Sequence, residues 1–308
     1  MSTIGSSNLG TAWFLNGLHN LLQEQAQTQK QLSSGFRVND ASDSPAQTPA
    51  LIQLGSSLAA VQAYQANLTN VQTEASTADQ ALQSSISLIQ NAISLASQGA
   101  SSTSNAATDQ TLAITIVGIQ QQLVSLANTA VGGRNIFGGD QDQTAPYQYD
   151  AASPTGVDSL TAQTNSRVVV DTLGQTVYTP LTAQQIFDPV DALGAPTANN
   201  TFAALQTLET ALLANDQVGV TNALTSLQAA SSYVGQQQAY YGASEQRLAS
   251  EQNNAATLVT SLQTQIGNIR DTDVAQAATE LTQETTDQSA AMGAEALISK
   301  KSLFDYIG

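Results

Sequence analysis

A chain of 308 residues with 41% hydrophobic but only 5% aromatic residues can hold more than one domain, yet lacks the rings of a large mixed-layer core. Ala, Gln, Ser, Thr and Leu dominate, a composition for close-packed helices with small side chains. Twenty-four acids against eight scattered bases give a net charge of −16, which excludes nucleic acid and acidic membrane surfaces as partners.

The first predicted element is a helix through Leu15, Leu18, Leu22, Gln25, Gln29 and Leu32, whose steps of three and four put one seam on a helix face. It ends at Ser33-Ser34-Gly35, with Gly35 as the residue beyond the C-cap. Phe36 to Ser44 reads as a loop carrying Asp40 and Asp43. Ser44-Pro45 then reads as N-cap and first helical position, with Pro49 tolerated in the first turn or moving the start to itself.

A very long helix follows, from Leu51 to Gln98, which at 1.5 Å per residue would run about 70 Å. Its seam is read through Leu54, Leu58, Val61, Gln65, Leu68, Val71, Ala75, Ala78, Leu82, Ile86, Ile89, Ile93 and Ala96. After a Ser/Ala-rich break at Gly99–Asn105, a further helix is marked by Leu112, Ile116, Ile119, Leu123, Leu126 and Ala130. Gly132-Gly133 and Gly138-Gly139 punctuate its end.

Between Asp140 and Asn200 the character changes. Five of the seven prolines lie there, with Arg167-Val168-Val169-Val170 and Thr176-Val177-Tyr178 reading as two strands around a turn at Gly174. Helix returns at Phe202, Leu205, Leu208 and Leu212, and again at Val220, Leu224, Leu227 and Val234. A last long helix runs from about Tyr240 to Arg270, its seam carried by Leu248, Ala255, Leu262 and Ile269 with Leu258 and Ile266 between. Asp271 or Thr272 can cap a terminal helix from Val274 to Ile298.

The fold class expected is mainly α: an elongated antiparallel helical coiled-coil rod formed by the N- and C-terminal halves, with a small β-rich inserted domain. Residues 1–44 and 271–308 would be outer helices ordered on assembly, 45–139 and 201–270 an inner helical rod, and 140–200 the insertion. Outer seams diluted by Gln and Thr are marginal alone and expected to order when they meet a partner.

Catalytic chemistry finds little to work with. Cysteine is absent, which rules out disulfides and thiolate sites, and His19 is the single histidine. His19 reads as a surface residue, and Asp140 with Asp142 as a solvated turn without the spacing of a calcium loop. Neither enzyme, metal nor cofactor is expected. Residues 1–22 hold no base and no continuous apolar run, so no conventional signal peptide is expected, and no window has the roughly 18 apolar residues of a membrane span. Arg37 and Arg270 each stand at a helix break beside acids and can meet there, or simply remain solvated.

Two segments then carry a resemblance. Leu32-Ser33-Ser34-Gly35-Phe36-Arg37-Val38-Asn39-Asp40, running on to Asp43-Ser44-Pro45-Ala46, resembles the N-terminal motif of the bacterial flagellin superfamily. Asn268-Ile269-Arg270-Asp271-Thr272-Asp273-Val274-Ala275 is similar to its C-terminal joint. The proline at 45, Gly133-Arg134-Asn135-Ile136-Phe137-Gly138-Gly139-Asp140, and the ending Ser302-Leu303-Phe304-Asp305-Tyr306-Ile307 resemble the hook–filament junction branch.

That resemblance implies a non-enzymatic structural subunit of the flagellum joining the hook-associated region to the filament. Its implied partners are hook-associated protein 1, flagellin, copies of itself and a type III export chaperone, and its implied location is outside the cell after export through the flagellar channel. A flagellin forming the filament itself is the alternative, and a secreted adhesion module on a helical stalk a third reading. The expected assembly interface comprises Leu15, Leu18, Leu22, Leu32, Arg37, Arg270, Leu303, Phe304, Tyr306 and Ile307.

Overall fold

The computed structural model describes residues 4–101, 105–171 and 174–298. Helices α1 (Ile4–Ser34), α2 (Thr48–Gly99) and α3 (Ala106–Ala127) come first. Strands β1 (Ala130–Val131), β2 (Arg134–Asn135), β3 (Tyr147–Tyr149), β4 (Val157–Ser159), β5 (Val169–Val170) and β6 (Thr176–Tyr178) follow. Helices α4 (Ala183–Phe187), α5 (Thr201–Leu213), α6 (Gln217–Arg270) and α7 (Val274–Ile298) complete the order. The chain is therefore mainly α, with three small antiparallel strand pairs among the described residues of its middle. It gathers into two compact units, one of residues 1–62 with 257–308 and one of residues 63–256.

In the first unit α1 ends as its sequence dictates: Gly35 takes φ +75°, and its N–H donates to the Gln31 carbonyl at 2.8 Å. Only a residue without Cβ adopts that left-handed closure freely. Ser44 to Gln47 form a turn, so the Ser44-Pro45 start is corrected: α2 begins at Thr48, with Pro49 in the first turn. Helix α7 begins at Val274 as expected, but its cap is Asp273. That carboxylate accepts from the N–H groups of Ala275 (2.9 Å) and Gln276 (3.1 Å), in place of the expected Asp271 or Thr272.

The core of the second unit draws on α2, α3, α5 and α6. Along α2 the buried positions include Leu68, Val71, Ala75, Ala78, Leu82, Ser85, Ile89, Ala92 and Ala96. The seam thus runs through Ser85 and Ala92 where the larger Ile86 and Ile93 were expected, because a strict 3–4 alternation outranks side-chain size. Ser85 is satisfied locally, its hydroxyl donating to the Ala81 carbonyl at 2.8 Å. Helix α6 is one element of 54 residues where two were expected. Val220, Ala223, Leu227, Ala230, Val234, Tyr241, Ser244, Leu248, Ala255 and Leu262 carry its buried face without interruption.

The β-rich segment is docked on α6 by tyrosines. Tyr233 donates to the Gln185 carbonyl (2.8 Å) and Tyr240 to the Thr179 carbonyl (2.7 Å), while the Leu181 N–H donates to the Tyr241 hydroxyl (3.2 Å). Phe137, Phe187 and Phe202 pack with Tyr147, Tyr178 and Tyr241 into one aromatic cluster of edge-on and tilted contacts. Of the three hairpins, β5–β6 turns at Gly174 as the sequence indicated. Hairpin β1–β2 closes on Gly132-Gly133, both at positive φ, as a two-residue turn of the kind that matches strand twist. Helix α4 opens with a reciprocal cap between Thr182 and Gln185.

Candidate assembly surface of the terminal helices

Helices α1 and α7 of the first unit pair antiparallel. The less exposed positions of α1 include Phe14, Leu18, Leu21, Gln25, Thr28 and Leu32. On α7 they are Ala277, Leu281, Glu284, Gln288, Ala291 and Glu295. Both sets step by four and three, the spacing of a coiled-coil seam. Polar side chains occupy its middle: the Thr28 hydroxyl donates to Glu284 Oε1 at 2.9 Å, while Glu284 Oε2 is buried without a hydrogen-bond partner.

The joint between loop and helix is built from backbone. The N–H groups of Arg37 (2.7 Å) and Val38 (3.2 Å) both donate to the Arg270 carbonyl, and the Thr272 N–H donates to the Gly35 carbonyl (3.0 Å). Phe36 and Asp271 form an antiparallel bridge. The Arg37 guanidinium donates to the Ile269 carbonyl at 2.9 Å, and that of Arg270 lies 4.0 Å from the centre of the Phe36 ring. The second contact sets a cation against the negative face of an aromatic ring, and the first sets an arginine against the negative end of a helix. Asp43 steadies the loop by accepting from the N–H groups of Asn39 (2.9 Å) and Asp40 (2.8 Å), which hold its carboxyl below the usual range. Lys30 pairs with Asp40 across the same turn.

Of the residues singled out from sequence, Leu18 and Leu32 lie on the half-buried side of α1. Leu15 (57% exposed) and Leu22 (43% exposed) point away from the pairing. Arg37 and Arg270 come together at the joint. Leu303, Phe304, Tyr306 and Ile307 lie outside the described residues. Sequence reasoning missed Phe14, Leu21 and Thr28 on α1: Phe14-Leu15 and Leu21-Leu22 offer two equally spaced seams, and only the partner helix selects one. His19 is exposed.

Asp140, exposed in a turn as expected, and the half-buried Asp142 also bind the β-rich segment together. Asp140 Oδ1 accepts from the Ser166 N–H and hydroxyl, both at 2.9 Å. Asp142 pairs with Arg134 at 2.6 Å, and Arg167 reaches Glu74 of α2 at 3.1 Å. Among the described residues no cluster of acids and histidines is arranged to hold a metal. Likewise, no described helix is long and apolar enough to cross a membrane.

Comparison with known proteins accounts for this arrangement. The bacterial flagellin N-terminal helical region matches residues 6–142, and the bacterial flagellin C-terminal helical region matches residues 218–307. The chain belongs to the bacterial flagellin family. Flagellar hook-associated protein 3 of Escherichia coli (strain K12) is 26% identical over 202 residues, 64% of this chain and 63% of that protein. The same protein of Salmonella typhimurium matches over the same shares, so the chain spans 63% of the length of the curated relatives it matches. Among solved structures, FlgL of Xanthomonas campestris is similar at a TM-score of 0.54 with 17% identity. It covers 70% of this chain and 98% of its own. FlgL of Bacillus cereus is similar at 0.52 with 19% identity, over 71% of this chain and all of its own. The flagellin family's helical regions thus bracket the segment that holds most of the β structure.

Proposed function

We propose that this flagellin-family chain is a non-enzymatic structural subunit of the bacterial flagellum, placed at the junction between the hook-associated region and the filament. The observation that carries the reading is the paired terminal helices: an antiparallel coiled coil with a polar centre, which leaves Leu15 and Leu22 uncovered. A seam half satisfied within one chain is what a subunit needs if its remaining face is to be covered by neighbours. The curated relatives, named flagellar hook-associated protein 3, favour the junction over the filament.

In this reading residues 1–44 and 271–308 form the assembly layer, 45–139 and 201–270 the inner helices, and 140–200 the outward segment. Hook-associated protein 1, flagellin and further copies of the chain are the partners, with a type III export chaperone before export to the cell exterior. The assembly interface comprises Leu15, Leu18, Leu22, Leu32, Arg37, Arg270, Leu303, Phe304, Tyr306 and Ile307.

The test mixes the purified chain with hook–basal fragments bearing hook-associated protein 1 and follows growth by negative-stain electron microscopy. A short, self-limiting ring at the hook tip is expected. Long filaments growing from the same seeds would assign the chain to filament flagellin instead.

A further inference from the structure

Asn16-Gly17, in α1, is the only Asn-Gly pair in the chain. Both residues are exposed, and a Cβ placed on Gly17 would meet nothing within 4 Å. Asparagine and glycine are both poor helix formers, and glycine has no side chain to shield its backbone nitrogen. In an open chain that nitrogen reaches the Asn16 side-chain carbonyl carbon and closes a five-membered imide. Inside a helix the Asn16 backbone dihedrals hold the two atoms apart, and the Gly17 N–H is committed to the carbonyl one turn back. The pair therefore reacts only from an opened α1. What holds α1 closed there is α7. Phe14 and Leu18, on either side of the pair, are half-buried seam positions. Counted antiparallel from the Thr28–Glu284 contact, Asn16 is level with Ala296 in the last turn of α7.

We propose that Asn16 is a self-modification site, converted to aspartate or isoaspartate through a cyclic imide when the α1–α7 pairing opens. This needs only the paired helices and stands apart from the junction reading. The Gly17 nitrogen bonds to the Asn16 side-chain carbonyl carbon, and the side-chain nitrogen leaves as ammonia with the proton of the Gly17 N–H. Water then opens the imide at either carbonyl. One way restores the backbone as aspartate, and the other routes the backbone through the side chain as isoaspartate. Ammonia is exchanged for water and no oxidation state changes, so no further reactant is required. Either product adds negative charge to a chain already at −16. Isoaspartate also lengthens the backbone by one methylene between Phe14 and Leu18, which moves them off the spacing that turns both towards α7. Time spent with the pairing open is thereby recorded as a loss of the pairing itself.

The full-length chain is incubated at neutral pH, folded or unfolded in urea, and ammonia loss at each asparagine is followed by peptide mass spectrometry. Asn165-Ser166 serves as the internal reference. It too can form the imide, but it lies in the second unit, where the Asn165 amide donates to the Pro180 carbonyl. Conversion at Asn16 is expected to be about tenfold or more slower in the folded chain than in urea, because only the open fraction reacts. Thr28→Val and Leu18→Ala, which weaken the α1–α7 seam, should each raise the folded-state rate at Asn16 severalfold and leave Asn165 unchanged. Aged Asn16→Gln chains, whose longer side chain closes a ring far more slowly, should keep the helical content that aged parent chains lose. Equal rates at Asn16 in the folded chain and in urea would overturn the proposal, as would no conversion in urea. A rise shared by Asn165 in both variants means opening of the whole chain and refutes the local gate, and so does no rise at all. Aged parent chains with the helical content of fresh ones would refute the recorded loss of pairing.

Discussion

At the scale of single residues, the most exposed conflict is Glu284, whose carboxylate accepts one hydrogen bond from Thr28 and buries its second oxygen without a partner. Removing the donor leaves both oxygens wanting, while removing both polar groups leaves an ordinary apolar layer. Thr28→Val is therefore expected to weaken α1–α7 pairing by about 1–3 kcal/mol, and Thr28→Val with Glu284→Leu to recover that loss or exceed it. Thermal melts of the three chains followed by circular dichroism decide it; a double variant no better than Thr28→Val alone would contradict the layer. A second residue-scale case is Asp188, which accepts from the Tyr147 hydroxyl at 2.9 Å and from the Asn200 side chain. Burial pushes its carboxyl up from the ordinary value. A raised folded value means the native state holds the proton more tightly, so this group adds stability as pH falls through its folded value towards 3.8. Asp140 and Asp142 are shifted the other way, held down chiefly by the hydrogen bonds they accept, and their stabilising effect is lost as pH falls below 3.8. Replacing Asp188 by Asn should thus flatten the melting temperature against pH above 3.8 and leave the acid-side loss unchanged. An unchanged slope above that value would remove Asp188 from the account.

Elements are decided by seams. Along the end of α6, Leu262 is 7% exposed and Leu258 39% exposed, although both were read as seam residues. A charge on a buried seam must be desolvated without a partner, whereas on the outer face it stays in water. Leu262→Asp is expected to cost about 3 kcal/mol or more and to lower helical content, with Leu258→Asp within about 0.5 kcal/mol of the parent. Equal losses by circular dichroism would show that the helix face is misassigned. This pair also marks how far the sequence could be read. The ends of α1, α2, α3 and α7 fell close to their expected positions because Gly35, the Ser/Ala-rich break and the Asp-rich joint are local signals. The β3–β4 hairpin escaped notice, as Tyr147–Tyr149 and Val157–Ser159 are too short to show an alternating pattern. The unbroken course of α6 was hidden too: Gly235 lowers helix propensity and Gln236–Gln238 interrupt the apolar seam, and the burial of Val234 and Tyr241 on either side overrides both.

At the scale of the whole molecule, the chain is expected to need its last residues for incorporation more than for folding. Deleting Ser302–Gly308 removes Leu303, Phe304, Tyr306 and Ile307 and should abolish growth on hook fragments while leaving helical content nearly unchanged. A truncated chain that still builds motile flagella would place the assembly surface elsewhere. What the sequence by itself determined was the inventory: long 3–4 seams, a proline-rich β segment between them, a glycine-closed turn before Phe36 and an Arg-Asp joint after Ile269. Those follow from periodicity and backbone sterics, which act within a few residues. Only the tertiary structure decided which of two adjacent seams on α1 turns inward, that Arg37 and Val38 both donate to the Arg270 carbonyl, and that tyrosines of α6 hold the β segment. Each of those choices compares two locally equivalent arrangements, and the difference in free energy between them lies in a partner far away along the chain.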